Sequence, residues 1–193
     1  MSPRSRLGAA LAWIVGPLTY LTLEAVAAVY FPHYSYAHNH ISDLGAPASP
    51  QAPLMNAAFC VQGMLFLVGA ALLDRARSFL TLAVANAAGN VLIAIFHSGV
   101  AAHAVGAVLA IVGGNAAILA RSRVGGPLYR RVSVGLGMLG LLSFAVFIVA
   151  LQTAVGPRGV WERGSVYTIL LWQWFTAGGV LRNRRHRWTR LGR

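Results

Sequence analysis

Six long apolar runs, separated by short polar stretches, limit what this chain can fold into. They cover about 7–30, 54–73, 79–96, 103–120, 132–155 and 165–181 of its 193 residues. At a rise of 1.5 Å per residue, about 20 apolar residues in a helix cross the roughly 30 Å hydrocarbon core of a bilayer. Charge is too scarce for a water-covered surface: 10% of the residues are charged, where a soluble domain carries about a quarter. The expected fold is therefore all-α. It is a polytopic membrane protein, a single bundle of six transmembrane helices followed by a basic tail over residues 182–193. Gly16-Pro17 is expected to kink the first helix, because proline removes a backbone hydrogen bond. The basic prefix and Ala25-Val26-Ala27 also resemble the start and cleavage site of a signal peptide. The apolar stretch is long for one and Glu24 sits badly beside the site, so a retained membrane helix is preferred.

The distribution of arginine orients the bundle. All sixteen basic residues are arginines, against four acidic residues. Arg4, Arg6, Arg75, Arg77, Arg121, Arg123, Arg130, Arg131 and six arginines of the tail fall on one side of the alternating runs, and only Arg158 and Arg163 on the other. Positive charge stays inside, so both termini are expected in the cytoplasm and the protein in the cell membrane. The same clustering at helix ends accounts for an isoelectric point near 11.5 without a nucleic-acid partner. The expected partners are membrane lipids; the arginine tail could touch anionic head groups at about 1 kcal/mol per arginine, but fixing the topology is its preferred role. No motif indicates a protein partner. The lone Cys60 excludes an internal disulfide.

Against this apolar background, one polar segment stands out. Residues 33–45 read His-Tyr-Ser-Tyr-Ala-His-Asn-His-Ile-Ser-Asp-Leu-Gly and hold three of the six histidines. The topology puts this segment on the outer face with His97, His103 and Glu162. Glu24 lies six residues inside the first run, roughly 9 Å below its outer end. A carboxylate at that depth marks either a functional site or a paired structural one. Tyr20 and Gly16 precede it at helical spacing, on a face expected to look into the bundle. Asn86, Asn90 and His97 form one stripe on the third run, where the asparagines suit interhelical hydrogen bonds. Asn56 and Cys60 share a face of the second run. Gly106, Ala110, Gly113, Gly114 and Ala117 make a small-residue seam on the fourth. Together these features predict an outward-opening pocket beneath the 33–45 loop.

Several chemistries fit those residue types. The leading one is binding of a lipid head group or small ligand. Arg163 would meet an anionic group, and His40, Asp43, His103, Asn56 and Glu24 would supply hydrogen bonds. The second is a membrane-embedded lipid hydrolase, with His40, Ser42, Asp43 and Glu162 as catalytic candidates and Glu162 as general base. It could be metal-dependent: His38, His40, Asp43 and His103 are candidate ligands for zinc or another divalent ion. No paired HExxH motif fixes such a site and no Gly-x-Ser-x-Gly elbow presents Ser42, so no cofactor is firmly implied. A third class is a transporter, disfavoured because few polar residues line the inner halves of the runs. Plainer roles compete. Ser42 or Asp43 would cap or turn the backbone, with Gly45 supplying a positive φ. Asp43 would pair with Arg163. His33 would be solvated. Tyr30, Tyr34, Tyr36 and Trp161 would form an aromatic belt, and Trp172 and Trp174 would pack.

His40-Ile41-Ser42-Asp43-Leu44-Gly45 after the first helix resembles the hallmark of the bacterial and archaeal membrane proteins grouped as domain of unknown function 998. Asn56 opening the second run continues the likeness, as do His103-Ala104-Val105-Gly106-Ala107 opening the fourth, and Glu162-Arg163 with Tyr167. The resemblance implies a six-helix membrane protein whose marked residues, His40, Ser42, Asp43, Asn56, His103, Glu162 and Arg163, lie on one side. It implies no particular activity. Relatives carry Phe-Pro after the third helix where this chain has Phe96-His97, so the resemblance assigns His97 no role.

Overall fold

The structure, a computed structural model, describes residues 2–74 and 76–191, with side chains as far as residue 182. Arg75 and the tail arginines beyond Arg182, counted in the topology argument, lie outside the described side chains. Six helices account for most of the described residues, and no strand occurs among them. They are α1 (Pro3–Tyr30), α2 (Ala52–Leu73), α3 (Arg77–Ile95), α4 (Ala101–Arg121), α5 (Pro127–Thr153) and α6 (Arg158–Leu191). Short 3-10 turns at Ser42–Gly45 and Ser122–Val124 punctuate the links. Five helices, α1 to α5, are long and apolar enough to cross a membrane. The sixth, α6, buries Glu162, Arg163, Thr168, Gln173 and Thr176, and these dilute its apolar character.

Most helices begin earlier than the apolar runs, because local capping outweighs hydropathy at their ends. Ser2 caps α1, its hydroxyl accepting from the Ser5 N–H at 3.1 Å, and Pro3 takes the first helical position. Pro127 starts α5 five residues before the predicted 132, so Arg130 and Arg131 are helical rather than in a loop. At its other end α5 stops at Ala154 in the left-handed region, and Gly156 also has positive φ. The chain then re-enters a helix at Arg158, seven residues before the predicted 165. Glu162 and Arg163 thus belong to α6, not to the expected loop. α6 also continues through the segment expected to be a tail, as far as Leu191. His97 falls beyond the end of α3 and is exposed, so the expected Asn86–Asn90–His97 stripe keeps only its two asparagines.

The helices pack in chain order and the ring closes, α6 returning to α1, while α4 also meets α6. Two apolar clusters fill it. Beside the chain termini, Trp13 and Trp172 are fully buried with ring centres 5.1 Å apart, and Phe66 and Phe79 surround them. Their indole N–H groups are satisfied by the Phe66 carbonyl at 3.1 Å and Ser133 Oγ at 2.9 Å. At the other end, Tyr20, Met55, Phe59 and Leu170 pack beneath Ile41 and Leu44 of the long loop. Ala27 and Ala28 lie in that second cluster, within an unbroken α1.

The predicted small-residue seam of α4 meets α3 backbone to backbone. A Cβ at Gly106 would stand 3.0 Å from the Gly89 carbonyl, and one at Gly113 would stand 3.0 Å from the Asn86 nitrogen. A Cβ at Gly89 would overlap the Ala110 backbone nitrogen and the Gly106 carbonyl, neither of which can turn aside. Gly89→Val is therefore expected to cost at least about 1–3 kcal/mol in an SDS-titration unfolding assay. Gly135→Ala, where a new Cβ meets nothing within 4 Å, should be neutral or stabilising. Equal stability of Gly89→Val and wild type would refute the backbone contact.

Candidate functional site

The loop between α1 and α2 is shaped by its own side chains. His33 takes a positive φ of 59°, turning the chain back over the bundle. The Asn39 side-chain oxygen accepts from the Ser35 N–H at 2.8 Å, and the Asn39 N–H donates to the Ser35 carbonyl at 2.8 Å. Asp43 accepts from the His40 N–H at 2.8 Å and closes the turn into Ser42–Gly45. Asp43, not Ser42, thus performs the local backbone role. Gly45 does not have positive φ. It is glycine because Asn56 occupies the space a Cβ would need, and Asn56 Nδ2 donates to the Gly45 carbonyl at 3.1 Å. Ile41 and Leu44, 1% and 0% exposed, anchor the turn in the core.

What holds this loop down is Arg163. Its Nε donates to Glu24 Oε1 at 3.0 Å, and its Nη1 to the carbonyls of Tyr36 at 2.8 Å, Asn39 at 3.0 Å and Gly159 at 3.2 Å. Its Nη2 donates to the Tyr34 hydroxyl, which in turn donates to the His40 carbonyl at 2.7 Å. The guanidinium carbon lies 4.5 Å from the centre of the Tyr36 ring. Tyr167 completes the pair by donating to Glu24 Oε2 at 2.9 Å. Burial pushes the Tyr34 phenol up, which keeps it neutral and able to donate. The expected Asp43–Arg163 pair does not form. Glu24 takes Arg163 from the adjacent helix α1, while Asp43 is spent on the turn.

Glu162, next to Arg163 on α6, works on a different face. Its Oε2 accepts from the Ile41 N–H, and the residue lines a cavity of about 40 Å³ under the loop. Ser42, His103, Tyr20, Gln62, Asn86 and Asn90 line the same cavity. Asn86 Nδ2 donates to the Ala110 carbonyl at 2.6 Å, an interhelical bond as expected, but Asn90 Nδ2 stays on its own helix at the Asn86 carbonyl. Asn86 Oδ1 and both amide atoms of Gln62 are buried with no partner among the described residues. A space of about 40 Å³ admits one to three waters or the tip of a ligand.

The remaining candidates are distributed unevenly. The His103 Nδ1 is 2.7 Å from the Phe96 carbonyl, and Ser42 Oγ accepts from Ser98 Oγ at 3.2 Å. Ser42 and His103 thus share the cavity, yet no nucleophile–base hydrogen bond links them. His40 packs edge-on against Phe147, centres 5.4 Å apart, with its Nδ1 3.9 Å from Asp43. His38 is exposed on the loop surface. Among the described residues no group of three or more His, Cys, Asp or Glu side chains is close enough to hold a metal ion. Arg163, Glu24, Tyr34 and Tyr167 converge on one network; Glu162, His103 and Ser42 converge on the cavity; His40 and Asp43 form the rim between them. Sequence reasoning placed Tyr34 and Tyr36 in an aromatic belt and passed over Gln62. The spacing of Arg163 and Tyr167, four residues apart on a helix, was the available signal for the Glu24 partners.

A ring of apolar helices capped by a loop tied to buried charge defines an integral membrane protein rather than a water-soluble one. The chain belongs to the family described as protein of unknown function DUF998, which it matches over residues 14–181. The match takes in at least part of every helix and includes Glu24, the 33–45 loop, Glu162 and Arg163. No curated protein and no solved structure matches the chain.

Two measurements check this geometry. Glu24→Gln leaves a guanidinium buried without a counter-charge and should lower unfolding stability by about 3–5 kcal/mol, with the paired Glu24→Leu/Arg163→Met variant losing less than the sum of the single changes. A Glu24→Gln variant as stable as wild type would remove the pair from this role. The second concerns pH. Burial holds His40 below its ordinary 6.5, and Arg158, Arg163 and His103 add to this while Asp43 opposes it. The unfolded chain then binds a proton the folded chain refuses, so stability should decline as pH falls from about 6.5 toward the lowered folded value. His40→Gln should flatten that decline; an unchanged slope would assign it to another group.

Proposed function

We propose that this protein crosses the cell membrane six times with both termini in the cytoplasm, and that its outward rim binds a small polar ligand or the tip of a lipid head group. Fourteen of sixteen arginines falling on one side of the alternating apolar runs in the sequence support the orientation. The observation that carries the binding reading is the cavity under the loop, where Glu162, His103, the Gln62 amide and the Asn86 amide oxygen meet, the last two without partners among the described residues. Unpaired polar atoms in so apolar a setting are costly unless a ligand or water completes them.

Within this reading Arg163 is a positioning residue. Its donors are already directed at Glu24, Tyr34 and loop carbonyls, so it shapes the roof rather than meeting an anion. The groups left for a ligand are a carboxylate, an imidazole, a hydroxyl and amides. That set favours a neutral or cationic hydrogen-bonding group, such as a hydroxyl or an ammonium, over a phosphate. A larger head group enters only as the loop lifts, and the Glu24–Arg163 pair is then the latch.

A transport reading gains support from one further observation. Gln62 and Gln173 both approach Gly16, at 2.8 and 3.7 Å from the position of an added Cβ, and all four of their amide atoms lack partners among the described residues. Polarity therefore continues inward from the rim to mid-bundle.

Mass spectrometry of small molecules and lipids retained by the purified protein separates these readings. Wild type is expected to retain a species that Glu162→Gln loses at least about tenfold, while Gln173→Leu retains it. Loss in both variants would favour a through-path, and identical retention in all three proteins would refute the rim site.

A further inference from the structure

A second, larger cavity opens at the opposite end of the bundle, beside the chain termini. It has a volume of about 690 Å³, within the roughly 300–1,000 Å³ typical of small-molecule sites. Leu73, Trp174, Phe175 and Val180 give it apolar walls. Its polar groups come from three helices and are unusually incomplete.

Arg121 enters from the end of α4. Its Nε forms an ion pair with Asp74 Oδ2 at 3.3 Å without hydrogen-bond geometry, and both Nε and Nη1 are buried with no hydrogen-bond partner among the described residues. The Tyr129 hydroxyl on α5 and Thr176 Oγ1 on α6 lie near each other, but neither makes a well-formed hydrogen bond among the described residues, and Thr176 is only 5% exposed. The 27-residue helix α5 starts at this cavity. Gly126 caps it without a side-chain acceptor, and Leu128 and Tyr129 of its first turn line the space. Their backbone N–H groups are among the donors a helix cannot satisfy internally, at the positive end of its dipole. Arg182 adds a second guanidinium at the mouth.

The unfilled positions are of one kind. A guanidinium edge, two hydroxyls and helix N-terminal amides all can donate, and the charge balance is positive, two arginines against Asp74. Their complement is an anion with several acceptor oxygens, and a phosphate supplies them. The apolar walls, in a bundle of membrane helices, suit an attached acyl chain. We propose that this cavity is a binding site for the phosphate head group of an anionic membrane lipid, held by Arg121, Tyr129, Thr176 and the α5 N-terminus. Asp74 is a positioning residue, holding Arg121 by its charge and leaving Nη1 for the lipid. This site is separate from the rim cavity and from any diffuse contact by the arginines beyond Arg182.

Native mass spectrometry of the full chain in detergent tests it, with phosphatidylglycerol and phosphatidylcholine of matched acyl chains as probes and inorganic phosphate as competitor. Phosphatidylglycerol should bind about tenfold or more tightly than phosphatidylcholine, and millimolar phosphate should not displace it. Thr176→Val and Arg121→Gln should each bring phosphatidylglycerol down to the phosphatidylcholine level. Thr176→Val should do so with an unchanged or raised melting temperature, because it deletes a buried hydroxyl that has no partner. If Arg121→Gln does not fold, Tyr129→Phe joins Thr176→Val in carrying the test. Equal binding of the two lipids would overturn the proposal. So would a preference that survives in the variants, which would assign it to the arginine-rich end of α6, and so would full displacement by phosphate, which would make this a site for a free anion.

Discussion

The buried ion pair between Glu24 and Arg163 is the interaction on which the loop-bearing half of the molecule depends. Removing a carboxylate and a guanidinium from water costs several kcal/mol each, and their attraction repays this only if the remaining polar atoms are also satisfied. Glu24 uses one oxygen for Arg163 and the other for Tyr167. Arg163 has donors left over, and the loop supplies the acceptors: the carbonyls of Tyr36 and Asn39 and the hydroxyl of Tyr34. The loop is in effect the solvation shell of the charge. That is why a polar segment lies folded over an apolar bundle, and why a cavity exists beneath it.

Helix geometry then separates two roles on adjacent residues. Neighbours on an α-helix point about 100° apart, so Arg163 turns to Glu24 and the loop carbonyls while Glu162 meets the Ile41 N–H and the cavity. On the facing side, the glycine seam between α3 and α4 brings backbones into contact and lets Asn86 reach the Ala110 carbonyl through its amide nitrogen. The oxygen of that amide is left unpartnered. Close helix packing and the polar lining of the cavity thus come from the same helices.

The two ends of the bundle differ in what they leave unpaired. Under the loop, a carboxylate lies beside amides that can both donate and accept. Around Arg121 the unfilled groups can all donate and the net charge is positive. On the proposed readings, one end would take neutral or cationic groups and the other anionic ones. The buried amides of Gln62 and Gln173 lie between, beside the tryptophan cluster that fills the terminal half.

Hydropathy and residue scarcity made the class legible from the chain alone. The helical runs, the α4 seam, the burial of Glu24 and the importance of the 33–45 segment all follow from local spacing and from the cost of charge in an apolar setting. Helix starts were read late, because Pro127 at a first helical position and the left-handed Ala154 act through backbone geometry that hydropathy does not register. Which partner each charge takes was beyond the sequence. Asp43 was the expected partner of Arg163, and only the packing of α1 against α6 gave that place to Glu24. The same holds for the cavity around Arg121, whose contributors are scattered from residue 73 to residue 182. Sequence determines which groups are too polar to be left in lipid. Three-dimensional packing determines which other groups stand within hydrogen-bonding reach, since that depends on separations across helices and not along the chain.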